Sequence, residues 1–187
     1  MDRRMLLQGL LLGALAPGAR ADEALWALLG RGGHAVLLRH AVTDTGVGDP
    51  PGFRLGVCAT QRNLSEQGRS DARRLGEELR ARRVPVAGLL SSPWCRCLET
   101  ARLAFGREAE VEPALGNLFG RAELEAAQVA ALRALVGRPV AGGNVFLVTH
   151  GSTTYALTGV SPGTAEMVIV EPRPGGAFRV AGRLSVG

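Results

Sequence analysis

Apolar positions along the chain form short continuous runs and longer runs with helical spacing. A continuous run such as Ala35–Leu38 is typical of a strand that is covered on both faces in a parallel sheet. Further strands are predicted at Val84–Ser91, Val145–Val148, Met167–Val170 and Phe178–Val180. The last two are joined through a turn rich in proline and glycine, which suits an antiparallel edge.

Runs with helical spacing lie between these strands. Ser65 is placed to cap a helix that continues to about Arg83. Ser92 and Pro93 provide a cap and a first-turn proline for a helix that ends near Phe105. Other helices are predicted at Asp22–Gly30 and Ala122–Val136. Because strands alternate with helices, we expect an α/β fold, a three-layer α/β/α sandwich with a mostly parallel central sheet.

The first 21 residues have the pattern of a signal peptide. Arg3 and Arg4 precede an apolar run from Met5 to Ala16, and Ala19-Arg20-Ala21 predicts cleavage after Ala21. This run is shorter than the ~20 residues of a permanent membrane helix, and no later segment is long enough. We therefore expect a single domain over 22–187, located in the periplasm or outside the cell. The paired arginines leave both the general secretory route and the twin-arginine route open.

Composition and charge indicate a globular protein that does not bind nucleic acid. Hydrophobic residues make up 46% and charged residues 21%, as in a domain with a packed core. Lysine is absent, and the net charge of +5 falls to +3 when the signal peptide leaves with three arginines and one aspartate. The sequence contains no block of five like charges and no aromatic residues interleaved with arginines. The oligomeric state is left open.

Polar residues follow three of the predicted strands, at Arg39-His40, at Ser91-Ser92 leading to Arg96, and at Thr149-His150. In open α/β sheets ligands bind beyond the carboxyl ends of the strands, so these side chains are expected to converge. Guanidinium forks bind phosphate, and a neutral imidazole is a nucleophile toward phosphorus. The pattern therefore predicts phosphoryl transfer with His40 as nucleophile and His150 as a donor to the phosphoryl oxygens. This chemistry requires no metal ion or other cofactor.

Four motifs extend this pattern over roughly 35–170. They are Leu38-Arg39-His40-Ala41 with Thr43, Asn63-Leu64-Ser65-Glu66-Gln67-Gly68, Ser91-Ser92-Pro93 through Arg96 to Glu99-Thr100-Ala101, and Val148-Thr149-His150-Gly151. In content and order they resemble the histidine phosphatase superfamily, the phosphoglycerate mutase-like proteins, in its exported bacterial phosphatase branch. The resemblance implies a phosphohistidine at His40 and a phosphate pocket of Arg39, Arg96 and His150. It also implies Thr43 as a substrate contact and a small phosphorylated substrate, whose identity stays open between lipopolysaccharide sugar phosphates and general scavenging.

Two features of the chain depart from the family pattern. Ala41 stands where the common family pattern has glycine, and Gly46 stands where mutase-like members carry asparagine, which argues against mutase activity. Asn117 stands in Leu115-Gly116-Asn117 where many members carry a proton-donating glutamate. An amide cannot donate a catalytic proton, so we expect the acid elsewhere.

The general acid is expected in the long loop that follows His40. Asp49 is the favoured residue because two prolines follow it and can hold it rigidly, while Asp44 and Glu112 are alternatives. Glu99 follows Arg96 by three residues on one helix face, and we expect it to orient that arginine.

The chain has three cysteines, Cys58, Cys95 and Cys97. An odd number in an exported protein predicts one disulfide and one free thiol. Because residues two apart on a helix point in different directions, we expect Cys58 to pair with either Cys95 or Cys97. Neither the Cys-x-x-Cys pattern of thiol redox proteins nor the Cys-x5-Arg pattern of cysteine phosphatases occurs. The alternative to an active phosphatase is a weak or inactive phosphate-binding or regulatory domain of the same fold.

Overall fold

The computed structural model describes residues 17–186, so the apolar run of the predicted signal peptide lies outside the described residues. The described helices are α1 Pro17–Arg31, α2 Glu66–Ala81, α3 Cys95–Phe105, α4 Ala122–Val136 and α5 Gly151–Thr158. The described strands are β1 Ala35–Arg39, β2 Val86–Ser91, β3 Glu110–Val111, β4 Asn144–Thr149, β5 Met167–Pro172 and β6 Phe178–Leu184. None of these helices is long and apolar enough to cross a membrane.

The strands form one sheet in the order β3-β2-β4-β1-β5-β6. Neighbours from β3 to β1 are parallel, whereas β5 is antiparallel to both β1 and β6. The predicted antiparallel edge is therefore confirmed. The mostly parallel character holds only in part: three of the five strand pairings are parallel and two are antiparallel, because the last two strands form a hairpin that packs beside β1.

Strand β1 lies in the centre of the sheet and is covered on both faces. Val36 and Leu38 face the core that contains residues of α1, α2 and α3, and Ala35 and Leu37 face the core that contains residues of α4 and α5. All four side chains are at most 2% exposed. The continuous apolar run thus arises from burial on both sides, and the three-layer α/β/α sandwich is confirmed.

Helix α2 packs closely against the segment that follows β1. Ser65 caps this helix by accepting a hydrogen bond from Gly68 N at 3.1 Å, as predicted. A Cβ atom added to Gly68 would lie 1.9 Å from the carbonyl oxygen of Val42. Only glycine therefore allows α2 to approach the backbone next to β1, and this contact fixes where the chain runs after the first strand.

Two helices differ from their predicted bounds, and one was missed. Helix α1 begins at Pro17, five residues before its predicted start. Helix α3 begins at Cys95 with Trp94 as its N-cap, because the Ser92 hydroxyl is bound to His150 instead. Helix α5 was not predicted, since its eight residues include five glycine, serine or threonine residues and lack a clear apolar stripe. It begins directly after His150.

Candidate active site

The register of β1 and β4 brings the two predicted histidines together. Arg39 pairs with Thr149 at the carboxyl ends of these parallel strands, so the residues that follow, His40 and His150, lie side by side. Their ring centroids are 5.3 Å apart, and the planes are inclined by 67°. His40 N also donates a hydrogen bond to Thr149 O at 3.0 Å. The predicted convergence of these two strand ends is therefore found.

The His40 imidazole is held with one nitrogen occupied and the other free for chemistry. Its Nδ1 lies 2.9 Å from the carbonyl oxygen of Ala41, so Nδ1–H donates and Nε2 carries the lone pair in the neutral ring. The pKa of His40 is lowered to about 3, mainly by burial and also by the positive charges of the nearby arginines, Arg96 first, although the Ala41 hydrogen bond opposes the shift. The ring is 4% exposed and neutral at physiological pH. It therefore has the protonation state that a nucleophile needs.

His150 is buried among fixed partners. Its Nε2 lies 2.8 Å from Ser92 Oγ, and its Nδ1 lies 3.4 Å from Nη2 of Arg96. Since a guanidinium can only donate, Nδ1 accepts and the proton of the neutral ring sits on Nε2, facing the serine. Burial is the main cause that keeps the pKa of His150 well below its ordinary value, and the neighbouring His40 adds to it.

Three arginines line one pocket of about 470 Å³ together with both histidines. Arg39 donates to Pro162 O at 2.7 Å, and Arg62 donates to Gly46 O at 2.7 Å. Arg96, only 1% exposed, is bound to Asp49. The Nε atoms of all three arginines are buried and have no hydrogen-bond partner among the described residues. Unpaired guanidinium donors around one pocket favour an anionic ligand with several oxygens.

Asp49, the predicted acid, forms a bidentate ion pair with Arg96. Its two oxygens lie 2.7 and 3.2 Å from the guanidinium nitrogens, and they also accept hydrogen bonds from Trp94 Nε1 and Arg62 N. Burial alone would raise the pKa of this carboxyl, but the hydrogen bond and charge of Arg96 outweigh it and hold the pKa below its ordinary value. A carboxylate in this state positions an arginine better than it donates a proton.

The other predicted residues lie away from the pocket. Thr43 forms an isolated β-bridge with Leu64 and is not a lining residue, and Asp44 is exposed on the loop. The Glu112 carboxylate accepts a hydrogen bond from Ala114 N at 2.9 Å and so caps a short 3-10 helix. None of these three residues, Thr43, Asp44 and Glu112, therefore lines the pocket beside His40.

The prediction that Glu99 orients Arg96 is wrong. Its carboxylate pairs with Arg69 of α2 at 2.8 Å, because the Arg96 side chain extends toward the loop and Asp49 instead. Glu99 therefore joins α2 to α3 rather than acting on the pocket.

Asn117 does line the pocket, in a fixed orientation. Its Oδ1 accepts hydrogen bonds from Ser152 Oγ at 2.8 Å and from Phe119 N at 3.2 Å. With the oxygen so engaged, the amide NH₂ is the group available as a donor to a ligand.

The structure resolves the cysteine pairing that the sequence left open. Cys58 is bonded to Cys95, which confirms the prediction of a disulfide between the loop and α3. Cys97 is free and buried, with Sγ 3.5 Å from Nε2 of His150. Burial raises the pKa of this thiol to about 12, so it stays protonated. The disulfide ties the Asp49 loop to the helix that begins next to Arg96.

Arg62 is a site residue that the sequence reasoning missed. It lines the pocket, and its backbone N–H and carbonyl contact Asp49 and Arg96. The signal available was its position directly before the Asn63-Leu64-Ser65 motif, at the end of the loop that returns to the site.

Comparison with known proteins gives a family match and a set of structures with the same fold. The family described as the histidine phosphatase superfamily (branch 1) matches residues 35–131. The putative phosphohistidine phosphatase SixA of Agrobacterium tumefaciens superposes with a TM-score of 0.54 and 23% identity, covering 83% of this chain and 99% of that one. No curated protein shows significant similarity to this sequence.

Two further structures carry oxyanions. The protein histidine phosphatase SixA complexed with tungstate has a TM-score of 0.57 and 20% identity, over 81% of this chain and 96% of that one. The mycobacterial glucosyl-3-phosphoglycerate phosphatase, in complex with VO3, has a TM-score of 0.60 and 19% identity, over 82% of this chain and 100% of that one. At these identities the likeness concerns the fold.

Proposed function

The chain belongs to the histidine phosphatase superfamily, and from this premise we propose that it hydrolyses phosphomonoesters through a phosphohistidine formed at His40. The observation that carries the proposal is the state of His40. It is neutral, its Nδ1 is anchored to Ala41 O, and it lines a pocket with three guanidinium groups. Tungstate and VO3 in two proteins of the same fold are oxyanions like phosphate. An active phosphatase fits these observations better than an inactive phosphate-binding domain.

The reaction has two displacements at phosphorus. The Nε2 lone pair of His40 attacks, the Nε2–P bond forms, and the ester P–O bond breaks, so the leaving oxygen departs with the electron pair and takes up a proton. Water then attacks phosphorus, the P–N bond breaks, and phosphate leaves with His40 neutral again. We assign Arg39, Arg62 and Arg96 to hold the phosphoryl oxygens, where charge spreads in the transition state.

His150 and Asp49 support these groups. His150 borders the phosphoryl site beside His40. In the tautomer with the proton on Nδ1, where Ser92 Oγ donates to Nε2, His150 can donate a hydrogen bond to a phosphoryl oxygen. Asp49 fixes the direction of the Arg96 fork. A bidentate pair restricts the guanidinium to one orientation, which lowers the entropy lost when phosphate is bound.

The proposal is tested by trapping the phosphoenzyme. The purified chain is mixed with p-nitrophenyl phosphate, quenched in base, and mapped by mass spectrometry, with a phosphoryl group expected on His40. His40→Ala should reduce kcat/KM by more than about 1,000-fold, and Arg96→Ala by about 100-fold. His34→Asn is the matched control, because His34 is also buried but contacts Asn144 at the opposite end of β1. Near-normal turnover by His40→Ala would refute the mechanism.

We further propose that the protein is exported. The support comes from the signal-peptide pattern in the first 21 residues and from the Cys58–Cys95 disulfide, a bond that persists in oxidising compartments. Expression in a bacterial host followed by fractionation should place the protein in the periplasm, with Asp22 as its first residue. Full-length protein in the cytoplasm would contradict export.

A further inference from the structure

The mouth of the pocket carries an unusual concentration of exposed aromatic surface. Aromatic residues make up only 4% of the chain, and Tyr155 is its only tyrosine. Among the described residues, Phe119 and Tyr155 are the only aromatic side chains that are large and exposed, each at 59%. Both line the pocket of His40. Exposed apolar side chains that gather at a binding site indicate contact with a ligand.

Phe119 belongs to a segment that is fixed in place. The Arg121 guanidinium stacks on Trp94 at 5.3 Å, and Gln128 donates to Gly116 O at 2.7 Å. The Phe119 ring also lies beside Gly48, since a Cβ atom at that position would be 3.9 Å from Cε1. Because the backbone on both sides of Phe119 is held by these contacts, little conformational entropy is lost when the ring binds a ligand.

The two aromatic residues also border a second cavity. This cavity of about 650 Å³ shares Phe119, Ser152 and Tyr155 with the pocket of His40. Tyr155 lies on α5, whose N-cap is His150, so its position relative to the catalytic histidines is set by one short helix. A substrate whose phosphoryl group lies at His40 can therefore place its leaving group against this aromatic pair.

The side chains in and behind the pocket favour a leaving group that departs without a strong acid. The Asp49 carboxylate is paired with Arg96, and the Asn117 amide can donate a hydrogen bond but not a proton. A phenolate, with a conjugate-acid pKa of about 10, needs less assistance than an alkoxide, whose conjugate acid is closer to water at about 15.7. An aromatic leaving group suits both the chemistry at the oxygen and the aromatic surface beyond it.

We propose that the preferred substrates are aryl phosphates, the phosphate monoesters of phenols. The phenyl ring packs against Phe119 and Tyr155, and the Asn117 amide donates to the ester oxygen. In the first step Nε2–P forms, the aryl P–O bond breaks, and the phenolate leaves with the electron pair. This substrate class rests on the proposed function at His40.

The test compares three phosphoryl donors on the purified full chain. Phenyl phosphate has the ring and the stable leaving group, cyclohexyl phosphate has a ring but an alkoxide leaving group, and acetyl phosphate has a stable leaving group without a ring. We expect kcat/KM for phenyl phosphate to exceed that for cyclohexyl phosphate by at least about 100-fold. Phe119→Ala or Tyr155→Ala should lower the phenyl-to-acetyl ratio of kcat/KM about tenfold, mainly through KM.

Matched variants separate the aromatic surface from other roles. Tyr155→Phe should keep the phenyl-to-acetyl ratio within about twofold, since the ring remains. Leu124→Ala removes an exposed apolar side chain of α4 outside both cavities and should leave all rates unchanged. Asn117→Glu should raise the cyclohexyl-to-phenyl ratio at least tenfold by supplying an acid, while Asn117→Gln should not.

The outcomes of these assays distinguish the aryl preference from the proposed phosphatase function. Turnover of acetyl phosphate that depends on His40, combined with equal rates for phenyl and cyclohexyl phosphate, would overturn the aryl preference alone. The aryl preference would also be overturned if Tyr155→Phe lowered the phenyl-to-acetyl ratio of kcat/KM as much as Tyr155→Ala does, because the hydroxyl rather than the ring would then contact the substrate. No turnover of any of the three donors would overturn the proposed function and the substrate class together.

Discussion

The low pKa of His40 predicts a specific loss of stability in acid. His40 has a pKa of about 3 in the folded protein, against about 6.5 for an unperturbed histidine. Between these pH values the unfolded chain binds a proton at this position and the folded chain does not, so falling pH favours unfolding. At pH 5, about 1.5 units below the unfolded pKa, the cost is about 2 kcal/mol, at 1.36 kcal/mol per unit. Above about pH 7 it vanishes.

Urea unfolding of the oxidised protein at pH 7.5 and pH 5.0 measures this cost. Wild type loses free energy of unfolding over this interval through His40 and other groups, whereas His40→Asn keeps a neutral polar side chain that does not titrate. The loss should therefore be about 2 kcal/mol smaller in His40→Asn than in wild type. Equal losses in the two proteins would refute the claim that His40 is held neutral by burial. Such a result would also remove the reason for regarding it as an always-available nucleophile.

Three other changes have defined outcomes. Asp49→Asn should lower kcat/KM for acetyl phosphate and for phenyl phosphate by the same factor, about tenfold or more, because the Arg96 guanidinium loses its orientation. A loss confined to phenyl phosphate would instead identify Asp49 as the general acid. Replacing Cys58 and Cys95 by alanine should lower the free energy of unfolding by about 4 kcal/mol, since their bond spans 37 residues; a urea midpoint equal to wild type would contradict this. Gly68→Ala should cost about 3 kcal/mol, whereas Gly30→Ala, with no atom within 4 Å, should stabilise α1 by about 0.5 kcal/mol or more.

The sequence predicted the parts of the site that depend on local patterns and strand ends. The pairing of His40 with His150 follows from apolar runs that stop at polar residues, since parallel strands end at the same edge of a sheet. The Ser65 cap and the disulfide of Cys58 likewise follow from local chemistry. These features need only element type and chain order.

The sequence could not predict contacts made by the long loop, because its path depends on tertiary packing. The loop turns Asp49 onto Arg96 and brings Arg62 to the pocket, and neither contact has a periodic signal. Glu99 has the helical spacing that would allow a contact with Arg96, but it forms its ion pair with Arg69 of α2 instead. A tertiary contact here takes precedence over the local helical spacing. Strand β3 was missed because two residues are too few to show alternation.

The pairing of Asp49 with Arg96 also sets which phosphate esters the pocket can hold without excess charge. The charged described groups at the pocket are three arginines and this one carboxylate, a sum of +2 with both histidines neutral. A phosphate monoester carries about −2 at neutral pH, so binding brings the buried site close to electrical neutrality. A phosphodiester carries a single negative charge and would leave the site with a net charge of about +1. We therefore expect this carboxylate to favour monoesters over diesters without contacting either.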